Sequence, residues 1–597
     1  MPFRTTSDFS SHKPLMSGNF WKVRILTTFT TSLVLIVVAR VNGATIEAKS
    51  VSLADVRSAI ASAHEGDTVK VPTGTTSWTS ALTITKGIVL QGAGKDTTII
   101  LDDLPRKQRG GPPPKPLQAP KHSQQQQRQP SRPAPSDGQS GPAPARAGAG
   151  MQQDGAIVTV SLTPDQSFRI SGFTFRAGSV EGHGSGPAVR LKGTCPKVRV
   201  DNCHFDHLYR ADLFVGGCLY GVIDHCIFDT PPGMSEILNV THSNWGGRSN
   251  EYGDGSWVEP THFGSEKFIF IEDCVFNNSG GKFPTNGGID SWGGGRLVVR
   301  HNVFNNTRPG NHGTETGGRL RACRAMEIYN NKIIYTLTGH LGQIRGGTAV
   351  IHDNILEGSI TRGWLLVVYR EISPFRLWGA ASGNNPWDLN DTEGNGTNVS
   401  GHRPHLYASG KHTGSSSSPA LVVSGANWAP NQWVGFILTN TSQRDRSGFN
   451  FSSYIRSNTS DTIEFYGGHS ENSRHRMSFN TGDGFAIYKV LASVDQPGRG
   501  KGDLISGNPP RGPRWLNQEL EPIYAWSNSL NGSPNYDILS SPCPTVKEGH
   551  DYYNNTPLPN YKPYTYPHPL VSGSPVVPSE SAEDRPGTRE STSPSDK

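Results

Sequence analysis

A nine-residue pattern of apolar and polar positions recurs through the middle of the chain. Its second, fourth and ninth places are apolar, and its seventh place is Cys or Asn. Apolar residues at alternate places indicate short strands with one buried face, and repeats of 20–50 residues are typical of a solenoid. The largest start-to-start spacing, 48 residues, is interpreted as two coils, with one poorly matching turn around Ile237–Val240. A weaker copy, Ser167–Phe175, precedes six clear ones: Lys197–Phe205, Tyr220–Phe228, Phe268–Phe276, Arg296–Phe304, Ala325–Ile333 and Thr348–Leu356.

This repeat resembles that of the right-handed parallel β-helix, the pectate-lyase-like superfamily, over roughly residues 45–390. The start of the region is similar too, because Val56–Gly66 has the pattern of a short capping helix. Asp67–Pro72 and Ile88–Gly94 have the pattern of first strands. The resemblance implies an all-β, right-handed parallel β-helix in a secreted protein. Each coil of such a solenoid buries its inner face only against its neighbours.

Composition divides the 597-residue chain into segments. Lys22 and Arg24 precede the apolar stretch Ile25–Val38, which is typical of a signal peptide and short for a membrane span. We therefore expect export, and no stable membrane span after cleavage. The expected segments are a signal peptide (1–43), an N-terminal cap with the first coils (44–104), a disordered Pro/Gln/Arg-rich insert (105–155), the parallel β-helix (156–392), a small inserted antiparallel β module (404–492), a C-terminal wrapping segment (493–570) and a disordered tail (571–597).

The formal net charge of +6 is unevenly distributed along the chain. Residues 105–150 carry +7 and residues 1–43 carry +4, so the remaining body carries −5. A basic patch on the folded domain would indicate a nucleic-acid partner. Since the excess lies in the signal and the insert, the sequence argues against a nucleic-acid partner.

The seventh place of the repeat forms one column of residues along the predicted solenoid. Asparagine there can bond turn backbone in the neighbouring coil. Stacked strands would also allow disulfides by distance, but small buried thiols pack well and CxxC metal spacing is absent, so we favour free thiols. The column is Cys203, Cys226, Cys274, Asn302, Asn331 and Asn354, and Cys195, Cys218 and Cys323 form a second one.

Twelve residues before each seventh-place residue lies a further predicted strand, and the copies of this strand align without gaps. Side chains of a strand alternate between its two faces, so the residues between the apolar pairs should point outward. On three consecutive coils these are His262, Asp290 and Arg319, followed two places later by Trp292 and Arg321. We predict a groove for an acidic polysaccharide, in which Asp290 or His262 is the base and Arg319 neutralises charge. Trp292 and Arg321 would bind sugar.

Two loops could complete such a groove. The loop from His312 to Glu315 lies between the predicted strands and could supply the acid, and both of these residues are expected to bind substrate. Arg248, Asp254 and Glu259 lie on the preceding long loop and could line the cleft or hold Ca²⁺. The alternative is structural, because an aspartate between a histidine and an arginine also describes a surface salt-bridge ladder, in which arginine lowers the aspartate pKa.

Family motifs do not select one reaction. Val222–His225 resembles the W-I-D-H stretch of pectate lyases without its tryptophan, and the R-x-P-x-x-R motif is missing. The aspartate motifs of polygalacturonases are not in their order either. We therefore expect polysaccharide lyase or glycoside hydrolase chemistry in a monomer. The alternative is a non-catalytic surface or cell-envelope protein that binds glycans or proteins through the solenoid.

Overall fold

The computed structural model describes most of the predicted solenoid and module. The predicted signal peptide, insert and tail lie almost wholly outside the described residues. In the part that is described, no helix is long and apolar enough to cross a membrane. The described residues are 43–105, 155–179, 187–208, 212–231, 236–245, 253–278, 280–284, 288–310, 322–367, 406–434, 436–444, 450–465, 477–489, 497–500, 519–541 and 546–573.

Three parallel sheets, named A, B and C here, run along the solenoid, and most of the described coils add one strand to each sheet. Sheet A contains β1 (Thr45–Glu47), β2 (Thr68–Val71), β5 (Val89–Gly92), β8 (Phe168–Ser171), the end of β10 (Val189–Asp201), β13 (Cys218–Asp224), β16 (Ile269–Glu272), β19 (Arg296–Arg300), β21 (Ala325–Tyr329), β23 (Thr348–His352), β33 (Ile523–Trp526) and β36 (Tyr552–Tyr553).

Sheets B and C complete each coil. Sheet B contains β3 (Gly74–Trp78), β6 (Thr98–Asp102), β9 (Thr174–Ala177), β11 (His204–Asp206), β14 (Ile227–Thr230), β17 (Val275–Asn278), β20 (Val303–Asn305), β22 (Lys332–Ile344), β24 (Ile355–Leu366) and β34 (Ser529–Leu530). Sheet C contains β4 (Leu82–Ile84), β7 (Val158–Leu162), the start of β10, β12 (Leu213–Val215), β15 (Leu238–Thr241), β18 (Ile289–Trp292), the ends of β22 and β24, and β35 (Leu539–Ser540).

The predicted all-β parallel β-helix is thus confirmed. Its core is built from the apolar places of the repeat, since in-register stacking superposes identical places of successive coils. At the ninth place Phe205, Phe228, Phe276 and Phe304 form one stack with ring centroids 4.6–4.8 Å apart. Strands of adjacent coils lie about 4.8 Å apart, so the phenyl rings follow the backbone spacing.

The asparagines at the seventh place bond from coil to coil as predicted. The Asn331 side-chain oxygen accepts from the Asn302 backbone N–H at 3.1 Å, and its amide donates to the carbonyls of Val299 and Tyr329. Asn354 and Asn528 continue the pattern on the next two coils. Earlier in the same column the cysteines are buried free thiols, like the other cysteines in the described part of the chain.

A short helix, α1 (Leu53–Ser62), closes the N-terminal end, as the sequence predicts. Ser52 caps it, because the Ser52 side-chain oxygen accepts a hydrogen bond from the Asp55 backbone N–H at 3.2 Å. Val56, Ala59 and Ile60 face the first coils and are buried. The helix therefore covers the end of the core that no preceding coil could cover.

The 48-residue spacing is one coil, which corrects the interpretation as two. β13 pairs directly with β16, with Val222 opposite Phe270. Leu238–Thr241 is the sheet C strand of this coil, and the described part of the long connection to β16 contains α2 (Asp254–Val258). A connecting loop leaves the stacking pattern of its coil unchanged, so a long loop widens the spacing of the repeat without adding a coil.

Beyond the solenoid, six antiparallel strands form a module with its own apolar core that includes Trp433, Leu438 and Ile487. Its order is β25-β30-β27-β28-β29-β26, from β25 (Leu406–Lys411), β26 (Ala420–Val422), β27 (Phe436–Arg444), β28 (Asn450–Asn458), β29 (Thr462–Phe465) and β30 (Gly484–Lys489). Two short strands, β31 (Arg499–Gly500) and β32 (Glu519–Leu520), and a last helical turn, α3 (Pro569–Ser572), complete the elements.

Candidate functional site

The outer face of sheet C presents one column of side chains drawn from four successive strands. On β18 Ile289 belongs to the core and the Ser291 hydroxyl bonds the buried Cys323 thiol at 3.2 Å, so Asp290 points outward. In register with Asp290 lies Asn239 of β15, which is opposite Phe214 of β12. We call the full set the outward column: Arg190, Phe214, Asn239 and Asp290.

Asn239 and Asp290 are neighbouring buried polar side chains in this column. Asn239 is fully buried and Asp290 is 1% exposed. One Asp290 carboxylate oxygen accepts from the Ser291 backbone N–H at 2.9 Å. Neither the oxygen nor the nitrogen of the Asn239 side chain has a hydrogen-bond partner. An unpaired buried amide is costly, so Asn239 indicates a missing ligand on this face.

Aromatic and cationic side chains flank this pair. Trp292 packs edge-to-face on Phe214, with ring centroids 6.2 Å apart, and the Arg190 guanidinium lies 5.5 Å from the Phe214 ring. Burial lowers the pKa of Arg190 from its ordinary value. Trp292 is 7% exposed, so little of its ring is available as the sugar platform that we predicted.

His262 does not stand beside Asp290, and the predicted column is wrong at this position. It lies in the connection between β15 and β16 with a left-handed φ of 58°, and Asn239 occupies the place assigned to it. The His262 ring stacks on Trp245 at 6.3 Å, and its Nε2 lies 3.8 Å from the Glu259 carboxylate. The gap-free alignment failed because it took part of the long connection for a strand.

The remaining predicted site residues lie outside the described part of the chain. These are Arg319 and Arg321, His312 and Glu315, and Arg248. The side chain of Asp254, one of the suggested Ca²⁺ ligands, lies outside it as well. Their prediction as catalytic, sugar-binding or metal-binding residues therefore stays a prediction.

A buried arginine fixes the connection that runs beside the outward column. Arg296 donates through its guanidinium to the Ser256 hydroxyl and to the backbone carbonyls of Ser256 and Thr261 at 2.7–2.9 Å. It lies 4.3 Å from the Trp245 ring. Burial, reinforced by the nearby Arg324 charge, lowers the pKa of Arg296 to about 9. The connection, which begins at His242, is thereby attached to β19.

His242, one residue after β15, is neutral. Its Nδ1 accepts from the Arg296 backbone N–H at 3.0 Å, and its Nε2 lies 2.9 Å from the Leu219 carbonyl, to which it donates. Burial lowers the pKa of His242 to about 3. This histidine therefore acts as a structural hydrogen-bonding group and does not titrate near neutral pH.

Two exposed cations on the same face were missed by the sequence analysis. Lys192 follows Arg190 by two residues on β10, and Arg362 lies on β24 opposite His340 of β22. Neither forms an ion pair within the described residues. Each occupies an outward place in a strand, but the predicted column covered only the coils around Asp290.

One other cluster has metal-ligating side chains, and it lies on sheet B. His204, Asp206 and Asp229 are the only such group of three among the described residues. Both His204 nitrogens already face carboxylates, with Nδ1 2.9 Å from Asp96 and Nε2 2.7 Å from Asp229. Arg176 pairs with Asp206. The cluster is an ion-pair network that joins several coils.

Comparisons with known proteins show distant similarity. No protein-family model and no curated protein matches the sequence. Among solved structures, the PL6 family alginate lyase AlyGC is 14% identical, with a TM-score of 0.27, over 53% of this chain and 39% of that chain. The alginate lyase from Paenibacillus sp. str. FPU-7 is 14% identical over 53% of this chain and 98% of that chain, with a TM-score of 0.26. Pectin methylesterase PemA from Erwinia chrysanthemi is 13% identical over 54% and 80%, with a TM-score of 0.25.

Proposed function

We propose that this chain acts on an acidic polysaccharide at the outer face of sheet C, and that the reaction is β-elimination. The observation that carries the proposal is the buried Asn239 amide, without a partner, beside the Asp290 carboxylate. A sugar carboxyl group could accept from this amide while Asp290 contacts the adjacent ring carbon. The backbones of Asn239 and Asp290 are about 4.8 Å apart, so the two side chains can contact neighbouring atoms of one sugar.

The chemistry assigns a role to each group. Asp290 takes the proton next to the uronate carboxyl group, and the electron pair forms a carbon–carbon double bond as the glycosidic oxygen leaves. The leaving oxygen takes a proton from water. The Asn239 amide stabilises the negative charge that develops on the carboxyl group, as preorganised amide donors do at other oxyanions. Burial strengthens this interaction, since it excludes competing water.

The choice of lyase over glycoside hydrolase rests on the count of carboxylates. A glycoside hydrolase uses two carboxyl groups on either side of the scissile bond. Asp290 is the only carboxylate within the described strands of sheet C, and the buried Asp212, one residue before β12, lies two strand spacings away from it. One base with one neutralising donor is sufficient for elimination, so the described residues favour the lyase.

A non-catalytic, glycan-binding or protein-binding role is the second candidate. The burial of Asp290 and Trp292 favours it, because a substrate reaches these side chains only by displacing what shields them. The two candidates differ in turnover and agree in binding, which makes them separable by experiment.

The test is a panel of acidic polysaccharides: alginate, polygalacturonate, hyaluronan and chondroitin sulfate. Product is followed by ultraviolet absorbance of unsaturated uronates and by reducing ends, with and without Ca²⁺. We expect both signals on at least one polymer. Reducing ends without absorbance would indicate hydrolysis, and binding in affinity gels without either signal would establish the non-catalytic role.

Export and a monomeric state belong to the same proposal. The apolar stretch near the N-terminus supports export. N-terminal sequencing of protein from the medium should show cleavage near residue 43, and light scattering should give the mass of one chain. An uncleaved cell-associated chain or a dimer mass would contradict these two points.

A further inference from the structure

Two exposed cations lie on opposite sides of Asp290 on the outer face of sheet C. We propose that Lys192 and Arg362 bind acidic groups of the polymer at its two ends, so that the site takes a long anionic chain and cleaves it internally. This rests on the proposed function for the place of cleavage. The binding itself needs only the two cations and the face between them.

The register places both cations at equal distance from Asp290. From β18 back to β10 there are three strand spacings, through β15 and β12. From β18 forward to β24 there are also three, through the coil of Arg308–Gly310 and through β22. With strands about 4.8 Å apart, each cation lies roughly 14 Å along the stack from the carboxylate.

The offsets along the strands are symmetric as well. Lys192 lies two places after the outward column, and Arg362 two places before it, since Arg362 is opposite His340, which precedes the buried Leu341. The three residues therefore fall on one diagonal line across sheet C. At about 3.3 Å per residue, each offset adds roughly 7 Å across the face, and each cation lies about 16 Å from Asp290.

Charge on this face is distributed differently from charge on the other two. Five cations on sheets A and B pair with carboxylates, whereas Lys192 and Arg362 are exposed and form no ion pair with a described residue. A carboxylate or sulfate polymer would supply the missing counter-charges. The pairs on sheets A and B are Arg169–Asp201, Arg199–Asp224, Arg300–Glu272, Arg176–Asp206 and Lys332–Glu357.

The distances set a minimum length for the ligand. A pyranose in an extended polysaccharide is roughly as long as one strand spacing of about 4.8 Å. At about 16 Å, contact with each cation takes more than three sugar lengths, so a chain that contacts both needs about four sugar residues on each side of the bond at Asp290. Tetrasaccharides would reach neither cation, while octasaccharides and longer chains would reach both.

The experiment compares Lys192→Gln, Arg362→Gln and the double variant with the wild type and with Lys332→Gln, an exposed lysine on sheet B. KM and kcat are measured on tetra-, hexa-, octa- and decasaccharides of the polymer that the wild type cleaves. For octamers and longer we expect KM to rise about two- to fivefold per cation, which is usual for an exposed charge pair. We expect kcat and tetrasaccharide KM to stay unchanged. Lys332→Gln should behave as the wild type.

A binding measurement separates this inference from the proposed function. In affinity gels that contain alginate or polygalacturonate, retardation should weaken in the double variant and remain in Lys332→Gln. Retardation of the wild type without turnover would overturn the lyase proposal and leave the inference standing. Turnover with the same chain-length dependence in the double variant and the wild type would overturn the inference alone.

Discussion

Asn331 and Asn239 are both buried asparagines on the solenoid, but their environments are opposite. The Asn331 side-chain oxygen accepts from the Asn302 N–H, and its amide donates to the Val299 carbonyl and to the Asn354 side-chain oxygen, so it joins both neighbouring coils. Asn239 has no hydrogen-bond partner for either side-chain atom. Buried polar groups without partners destabilise a fold, and residues that are kept at such a cost are commonly functional.

Alanine substitutions should therefore separate the two residues. Asn331→Ala leaves the Asn302 N–H without an acceptor and should lower the free energy of unfolding by about 2–4 kcal/mol. Asn239→Ala loses no hydrogen bond and should change it by less than about 1 kcal/mol. Urea unfolding followed by circular dichroism measures both. An equal loss for the two variants would mean that Asn239 has a structural partner and is no ligand-binding residue.

His204 should make stability depend on pH. Its ring lies between Asp96 and Asp229, and these hydrogen bonds outweigh desolvation, so the pKa of His204 is raised above its ordinary value of 6.5. A raised pKa means that the folded state binds the proton more tightly. The stabilisation is complete below about pH 6.5 and is lost as the pH rises through the folded-state value.

Unfolding free energies at pH 5.5 to 8.5 test this. The stability advantage of the wild type over His204→Gln should be largest at low pH and should shrink as the pH rises, because buried neutral histidines such as His242 affect both proteins equally. His64→Gln, at a side chain that is 90% exposed, should retain the wild-type slope. A slope that is identical in His204→Gln and the wild type would show that the network is held by other contacts.

At the scale of elements, the end of the chain packs along the outer face of sheet A. Arg300 donates to the carbonyls of Tyr564 and Thr565 at 2.7 and 2.8 Å, and its guanidinium pairs with Glu272 at 2.6 Å. The His568 N–H donates to Glu272 at 2.9 Å. The last described segment is thus attached to sheet A through a buried ion pair.

Removing one member of this ion pair should cost more stability than removing both members. Arg300→Met leaves the buried Glu272 carboxylate uncompensated and should lower stability by about 3–5 kcal/mol. The double variant Arg300→Met with Glu272→Leu removes both charges and should recover much of that loss. Thermal unfolding and proteolysis of the C-terminal segment measure it. A double variant no better than Arg300→Met would show that the backbone hydrogen bonds, and not the charge pair, hold the segment.

Some elements of this structure were predicted correctly from the sequence, and others were not. The repeat predicted the coils and the asparagine bonds, because stacking forces identical places into register, and the pattern of Val56–Gly66 predicted α1. The sheet C strand Leu238–Thr241 was misassigned, since the connection after it has no periodicity of its own. That error placed His262 in the column and concealed Asn239. Asp290 was found because its coil has the ordinary spacing.

On the scale of the whole molecule, charge is segregated by face. The body outside the signal and insert carries −5, yet the strands of sheet C carry Arg190, Lys192 and Arg362 against Asp290. Such a face attracts a polyanion even when the protein as a whole is acidic. Affinity for the polymer should therefore fall as salt rises, because the exposed cations are screened.

The most direct test of the central claim is the rate of unsaturated-product formation by Asp290→Asn on the preferred polysaccharide. We expect a loss of at least about a hundredfold in kcat, as for removal of a general base, with KM within a few-fold of the wild type. Asp461→Asn, on the β module, is the matched control and should keep full activity. Full activity of Asp290→Asn would contradict the account, because the reaction would then take place on another face of the solenoid.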